Sequence, residues 1–290
     1  METSTVSVPA VHVRNILFAT DFSEYSRRAL PYLTSLARKF GSSVYLWHIV
    51  MPSQLTIGAP EAAPSLDESE WRSSAEELNE IAHRPEFDGL NVKAILPGGT
   101  VQDELIRIVN ENRIDLILVG THGRTGTRRP MAGSVAEQVC GSASCPVLTV
   151  GPNTVLNDMT LFQRILVPID FSEESTRILP YVLDIAREYG ATITLLRVIP
   201  PDVAAGINAQ ALTDSLSQTL QKVFAKEGLD RLPQFLIEVG QPVEAILRAA
   251  QKNNADMIAI GIKHVSSIQL QSGVAYRVMA GASCPVLTCR

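Results

Sequence analysis

Short, unbroken apolar runs alternate along this chain with longer stretches whose apolar residues recur every three or four positions. Ile16, Leu17, Phe18 and Ala19 form the first run, which reads as a strand buried on both faces. Asp21, Ser23 and Glu24 follow as helix-start residues, with Ser23 as the N-cap. Ala29, Leu30, Leu33, Leu36, Ala37 and Phe40 then keep helical spacing until Gly41, a natural helix stop. The same logic predicts strands at 44–50, 90–96, 116–119 and 147–150, and helices at 66–83, 100–112 and 134–140. Residues 51–65 contain Pro52, Pro60 and Pro64, which deny regular structure, and read as a loop.

The pattern then starts again. The segment Asn15 to Glu24 returns as Arg164 to Glu173, and both passes close on Cys-Pro-Val-Leu-Thr, at 145–149 and 284–288. The second pass predicts strands at 165–169, 192–199, 234–239, 257–260 and 286–289, with helices at 173–189, 207–227, 242–253 and 274–279. A repeat of about 140 residues is far longer than a solenoid unit and matches a whole domain. The expected domains are 12–151 and 163–290, joined by a linker at 152–162. Strands separated by long helices cannot be hairpins. The expected fold is therefore α/β: two open, mostly parallel five-stranded sheets flanked by helices, Rossmann-like and in tandem. Ligands of such sheets sit off the carboxyl ends of the strands, where strand order reverses. That rule selects the residues after Ala19, Val50 and Val119.

Composition narrows the function classes. Hydrophobic residues make up 46% of the chain, enough for two ordinary cores. A net charge of -5 argues against a duplex nucleic-acid partner, which needs a basic face. The first residues lack a signal-peptide pattern and the apolar runs have strand length, so the expectation is a soluble cytoplasmic protein without a membrane partner. The four cysteines, at 140, 145, 284 and 289, have neither C-x-x-C spacing nor a histidine at metal-ligand spacing. They read as small buried hydrophobes, with a disulfide or redox role as the other reading.

The strongest chemical signal follows the fourth strand. Gly120, Gly123 and Gly126 let the backbone turn tightly and present its N–H groups, and Gly133 with Ser134 opens a helix whose free N–H groups favour an anion. Arg124, Arg128 and Arg129 add positive charge nearby. The spacing fits neither the P-loop nor the dinucleotide fingerprint. In this form the chain resembles a tandem universal stress protein, two UspA-type domains fused head to tail, over nearly all of residues 12–290. The ATP-binding branch of that family carries G-x2-G-x9-G-[S/T], matched here by Gly120, Gly123, Gly133 and Ser134.

The resemblance implies an ATP pocket, with Mg2+ as a possible companion ion. Ala19, Thr20, Asp21, Ile49, Val50, Val119, Gly120, Gly123, Arg124, Gly133, Ser134 and Val135 would line it. Adenine would be read largely by backbone groups of strands one and two. Asp21 has two readings, nucleotide contact or helix capping, and Asp170 keeps its place in the second repeat. There the loop departs from the pattern: Gly261 is present, but His264 replaces the second glycine and Val274 follows Gly273. ATP is therefore expected mainly in the first domain. No carboxylate beyond Asp21 is placed to hold magnesium, and His122 lies between glycines, so a regulatory binding module with at most weak hydrolysis is expected. A structural or interaction protein with a vestigial pocket is the alternative. The resemblance also implies an intrachain pseudo-dimer through the closing strands, and a homodimer of chains. Residues 51–65 could form a lid over the first pocket.

Overall fold

The computed structural model describes residues 12–50, 68–121, 134–155, 161–204, 214, 231–262 and 273–290. The chain divides into two compact units, Val13–Pro152 and Asn153–Arg290. In the first unit the order is β1 (Asn15–Ala19), α1 (Glu24–Arg27), α2 (Leu30–Phe40), β2 (Ser43–Trp47), α3 (Glu68–Ala82), β3 (Val92–Ile95), α4 (Val101–Asn112), β4 (Leu116–Gly120), α5 (Ser134–Ser142) and β5 (Val147–Val150). Its sheet runs β3-β2-β1-β4-β5, and every neighbouring pair is parallel. Ile16, Leu17, Phe18, Leu46 and Ile117 are almost wholly buried, as expected of a sheet covered on both faces.

The second unit contains β6 (Arg164–Pro168), α6 (Glu173–Arg177), α7 (Leu179–Tyr189), β7 (Thr192–Ile199), β8 (Gln234–Val239), α8 (Pro242–Lys252), β9 (Met257–Gly261), α9 (Val274–Gly281) and β10 (Val286–Cys289). Its strand order, β10-β9-β6-β7-β8, mirrors the first, again with parallel neighbours. The mixed α/β fold with largely parallel sheets is the one the pattern predicts. The helix expected at 207–227, apart from the helical Asp214, and the lid expected at 51–65 lie outside the described residues.

Two local predictions change. The helix expected from Ser23 to Phe40 is two helices, and so is that expected at 173–189. Pro31 and Pro180 sit in the first turn of α2 and α7. Proline has no N–H to donate and its ring crowds the preceding turn, so a continuous helix breaks there. Ser23 and Ser172 do cap α1 and α6, accepting from Ser26 N–H and Ser175 N–H. The second change is in β2, predicted to reach Val50. The regular ladder stops at Trp47, and Val50 rejoins through a single bridge to Gly98. Gly41 and Gly190, at φ 65° and 63°, end α2 and α7 as left-handed caps.

A repeated device fixes the start of each sheet. Asp115 Oδ2 accepts from Arg14 N–H and Asn15 N–H, at 2.8 and 2.9 Å. Asp256 does the same with both oxygens, from Gln163 N–H at 3.0 Å and Arg164 N–H at 2.9 Å. All four cysteines are thiols; Cys140 and Cys284 are buried, Cys145 and Cys289 half-buried.

Candidate functional site

Strand order in the first unit reverses between β1 and β4, which opens a crevice at their carboxyl ends. Ala19 is in register with both Trp47 and Val119, so the segments following these three residues meet at one edge. Of the residues expected in a site, Ala19, Thr20, Asp21, Ile49, Val50, Val119 and Gly120 gather there. Ser134 and Val135 open α5. Gly123, Arg124 and Gly133 lie outside the described residues.

The turn after β1 is built from its own side chains. Asp21 Oδ1 accepts from Ser23 N–H at 3.1 Å and from Ser23 Oγ–H at 2.6 Å. These bonds close a turn around Phe22, which holds the left-handed conformation at φ 63°. Asp170, Phe171 and Ser172 repeat it in the second unit, with Phe171 at φ 64°. Capping and turn formation thus explain why the aspartate appears twice.

Gly120 also has a packing job. A Cβ there would stand 2.8 Å from Ser26 Cα and 3.0 Å from the Tyr25 carbonyl oxygen, because α1 packs on the end of β4. At Gly261 the clash would be with Glu174, at 2.1 Å. This close approach accounts for a glycine at both places although the loops that follow differ.

The base of the crevice is set by hydrogen-bond alternation. Successive residues of a parallel strand bond to opposite neighbours. The Trp47 carbonyl accepts from Thr20 N–H on the β1 side, at 2.9 Å. His48 N–H and Val50 N–H donate to Ile95 and Pro97 on the β3 side, at 3.2 and 3.1 Å. Ile49 therefore turns its N–H and C=O toward the β1 side, just past the point where β1 leaves the sheet. Its regular partners would be the Thr20 carbonyl and Phe22 N–H. Both are engaged: His48 Nδ1–H donates to the Thr20 carbonyl oxygen at 2.7 Å, and Phe22 N–H donates to Thr20 Oγ1 at 3.0 Å. Among the described residues, Ile49 N–H and C=O have no hydrogen-bond partner. Val50, by contrast, also accepts from Gly99 N–H at 3.4 Å.

Sequence reasoning missed His48, Phe22 and Ser26. The His48 ring lies against Phe22 with centroids 4.3 Å apart, and Thr20 Oγ1 is 3.0 Å from Ser26 Oγ. The signal was in the repeat: β-pairing aligns Thr20 with Ile169 and His48 with Arg197. With those exchanges Phe22 is 5% exposed while Phe171 is 46% exposed. Among the described residues no group of three His, Cys, Asp or Glu stands ready to hold a metal ion, and no helix is long and apolar enough to cross a membrane.

Comparison with known proteins agrees with this geometry. The sequence profile of the Universal stress protein family matches the chain twice, at residues 12–151 and 161–290. A universal stress protein of Methanocaldococcus jannaschii is 30% identical over 139 residues, covering 47% of this chain and 81% of that protein. A second from the same organism is 27% identical over 156 residues, covering 49% of this chain and 96% of the relative. The crystal structure of a universal stress protein from Archaeoglobus fulgidus superposes with a TM-score of 0.74 and 25% identity, covering 97% of each chain. With both halves matched and the two-unit fold shared, the chain belongs to the universal stress protein family.

Proposed function

We propose that this chain is a cytoplasmic, nucleotide-dependent stress-response module whose first unit binds one adenine nucleotide, ATP. The observation that carries this reading is Ile49, whose unpaired N–H and C=O face the crevice where β1 and β2 part. An N–H beside a C=O complements the adenine edge, which offers a ring-nitrogen acceptor beside an amino donor. The glycine pattern at Gly120, Gly123 and Gly133 with Ser134 and Arg124 supports a phosphate end to the same pocket. Asp21 is the one carboxylate that follows β1, β2 or β4 directly, so any Mg2+ would ride mainly on the phosphates. That poverty of metal ligands and bases supports binding with at most slow hydrolysis. Four cysteines that are thiols and not disulfides suit a reducing compartment. The repeat supports an internal pseudo-dimer of the two units and a homodimer of chains, which sedimentation tests.

Calorimetric titration of nucleotide-stripped protein tests the reading. One ATP per chain is expected, with binding lost on Gly123→Val while folding is retained by circular dichroism. A stoichiometry of two, or no binding by the wild-type protein, overturns it; the latter favours a structural or interaction role.

A further inference from the structure

We propose that Trp47 is a binding residue of the first crevice whose indole N–H donates to a purine ring nitrogen of the bound nucleotide, an inference that rests on the nucleotide reading above. Trp47 ends the regular ladder of β2 and is 1% exposed. Among the described residues, its buried Nε1 has no hydrogen-bond partner. An indole nitrogen only donates, and burying that donor unpaired is costly, so a buried tryptophan normally reaches an acceptor. A trapped water in that place would need several polar partners, which the register neighbours Ala19 and Ile95 do not provide. Tyr45, the preceding β2 residue on the same face, pairs with Lys93, whose Nζ–H donates to Tyr45 Oη at 3.4 Å.

Strand alternation fixes the face on which the indole lies. A Cβ at Gly120 would meet Ser26 and Tyr25, so α1 packs on the face shared by Gly120, Leu118, Phe18 and Leu46. Trp47, Ala19 and Val119 project to the other face. The β1–β2 and β4–β5 connections run in opposite directions along the sheet, and right-handed crossovers put their helices on opposite faces. Trp47 therefore shares its face with α5, the helix whose start the glycine pattern assigns to phosphate. Ile49 follows two residues later, about 6.6 Å along the same extended run. A base held by the Ile49 N–H and C=O is thus the part of the nucleotide nearest the indole, and a purine still offers N3 and N7 as acceptors. In the second unit the same register position is Leu196, beside Pro168, so that crevice has no such donor.

The chain has two tryptophans, Trp47 and Trp71, so nuclear magnetic resonance gives two indole N–H signals, assigned by Trp47→Phe and Trp71→Phe. When ATP is added to nucleotide-stripped full-length protein, the Trp47 indole proton should move downfield and exchange more slowly. Calorimetric titration should show ATP binding about three- to tenfold weaker in Trp47→Phe and unchanged in Trp71→Phe, with folding checked by circular dichroism. Either 3-deaza-ATP or 7-deaza-ATP should bind wild type more weakly than ATP does, yet match ATP in Trp47→Phe, which identifies the acceptor atom. ATP binding with an unmoved Trp47 signal overturns this proposal alone, as does wild-type binding of both analogues as tightly as ATP. These two measurements on wild type decide the matter even where Trp47→Phe fails to fold. A wild-type protein that does not bind ATP overturns the nucleotide reading and this proposal together.

Discussion

Gly120 and Ser26 come so close that a single added carbon at Gly120 would lie 2.8 Å from the Ser26 Cα. All three nearest atoms, Ser26 Cα, the Tyr25 carbonyl oxygen and Ser26 N, are backbone, so no side chain can swing aside. Gly120→Ala should lower stability by about 1–3 kcal/mol in nucleotide-free protein, and Gly261→Ala by at least as much, since Glu174 O is nearer. Urea unfolding measures both. A loss under about 0.5 kcal/mol at either position would show that α1 or α6 adjusts freely, contrary to the packing role.

The two aspartates that pin the sheet starts should respond differently to the same substitution. Asp115 uses one oxygen, Oδ2, for both N–H groups, and an asparagine carbonyl can take over that job. Asp256 uses both oxygens, so Asp256→Asn sets an amide N–H2 against Gln163 N–H or Arg164 N–H. Expected losses are under about 1 kcal/mol for Asp115→Asn and about 1–3 kcal/mol for Asp256→Asn, read from chemical denaturation. Equal effects would contradict this assignment of acceptors.

Burial pushes the Cys284 thiol up to about 12, with the negative Asp256 adding to the rise. The folded protein thus holds this proton where the unfolded chain, with an ordinary thiol near 9.0, releases it. Stability from Cys284 is therefore intact below pH 9 and lost as pH climbs toward 12, at up to about 1.4 kcal/mol per pH unit. Alkaline unfolding should begin at higher pH in Cys284→Ala after its own neutral-pH loss is subtracted. Iodoacetamide at pH 8 should leave Cys284 unmodified in native protein; rapid labelling there would contradict its burial.

Base selectivity should follow from Ile49. Guanine presents an acceptor and a donor in the reverse order at the corresponding edge, so both Ile49 groups would face like partners. ATP should bind about a hundredfold more tightly than GTP in competition titrations, because a mismatched buried polar pair is left unpaired on both sides. Equal affinities would remove Ile49 from the recognition of the base.

Much of this protein is set by local sequence. Unbroken apolar runs such as Ile16 to Ala19 mark buried strands. Helical spacing from Ala29 to Phe40 marks an amphipathic face, and Ser23, Thr100 and Gly41 mark ends through bonds and dihedrals within a few residues. Repetition of these signals at 164–173 is enough to declare two domains of one kind. The carboxyl ends of β1, β2 and β4 follow as the candidate site, because parallel α/β sheets leave their crevice there.

Other features arise only when distant segments are brought together. Asp115 meets Arg14 and Asn15 across the sheet, Gly120 meets Ser26, and His48 meets Thr20. Periodicity reports which face of an element is buried, and it carries no record of which atom lies opposite. The sequence named Gly120 and Asp21 for the expected pocket, with capping as a second reading of Asp21; packing adds a steric duty to the glycine and gives the aspartate a turn to close. The opening beside Ile49 has no local signature of its own, because it exists only where β1 turns away at Phe22 and β2 runs on past it.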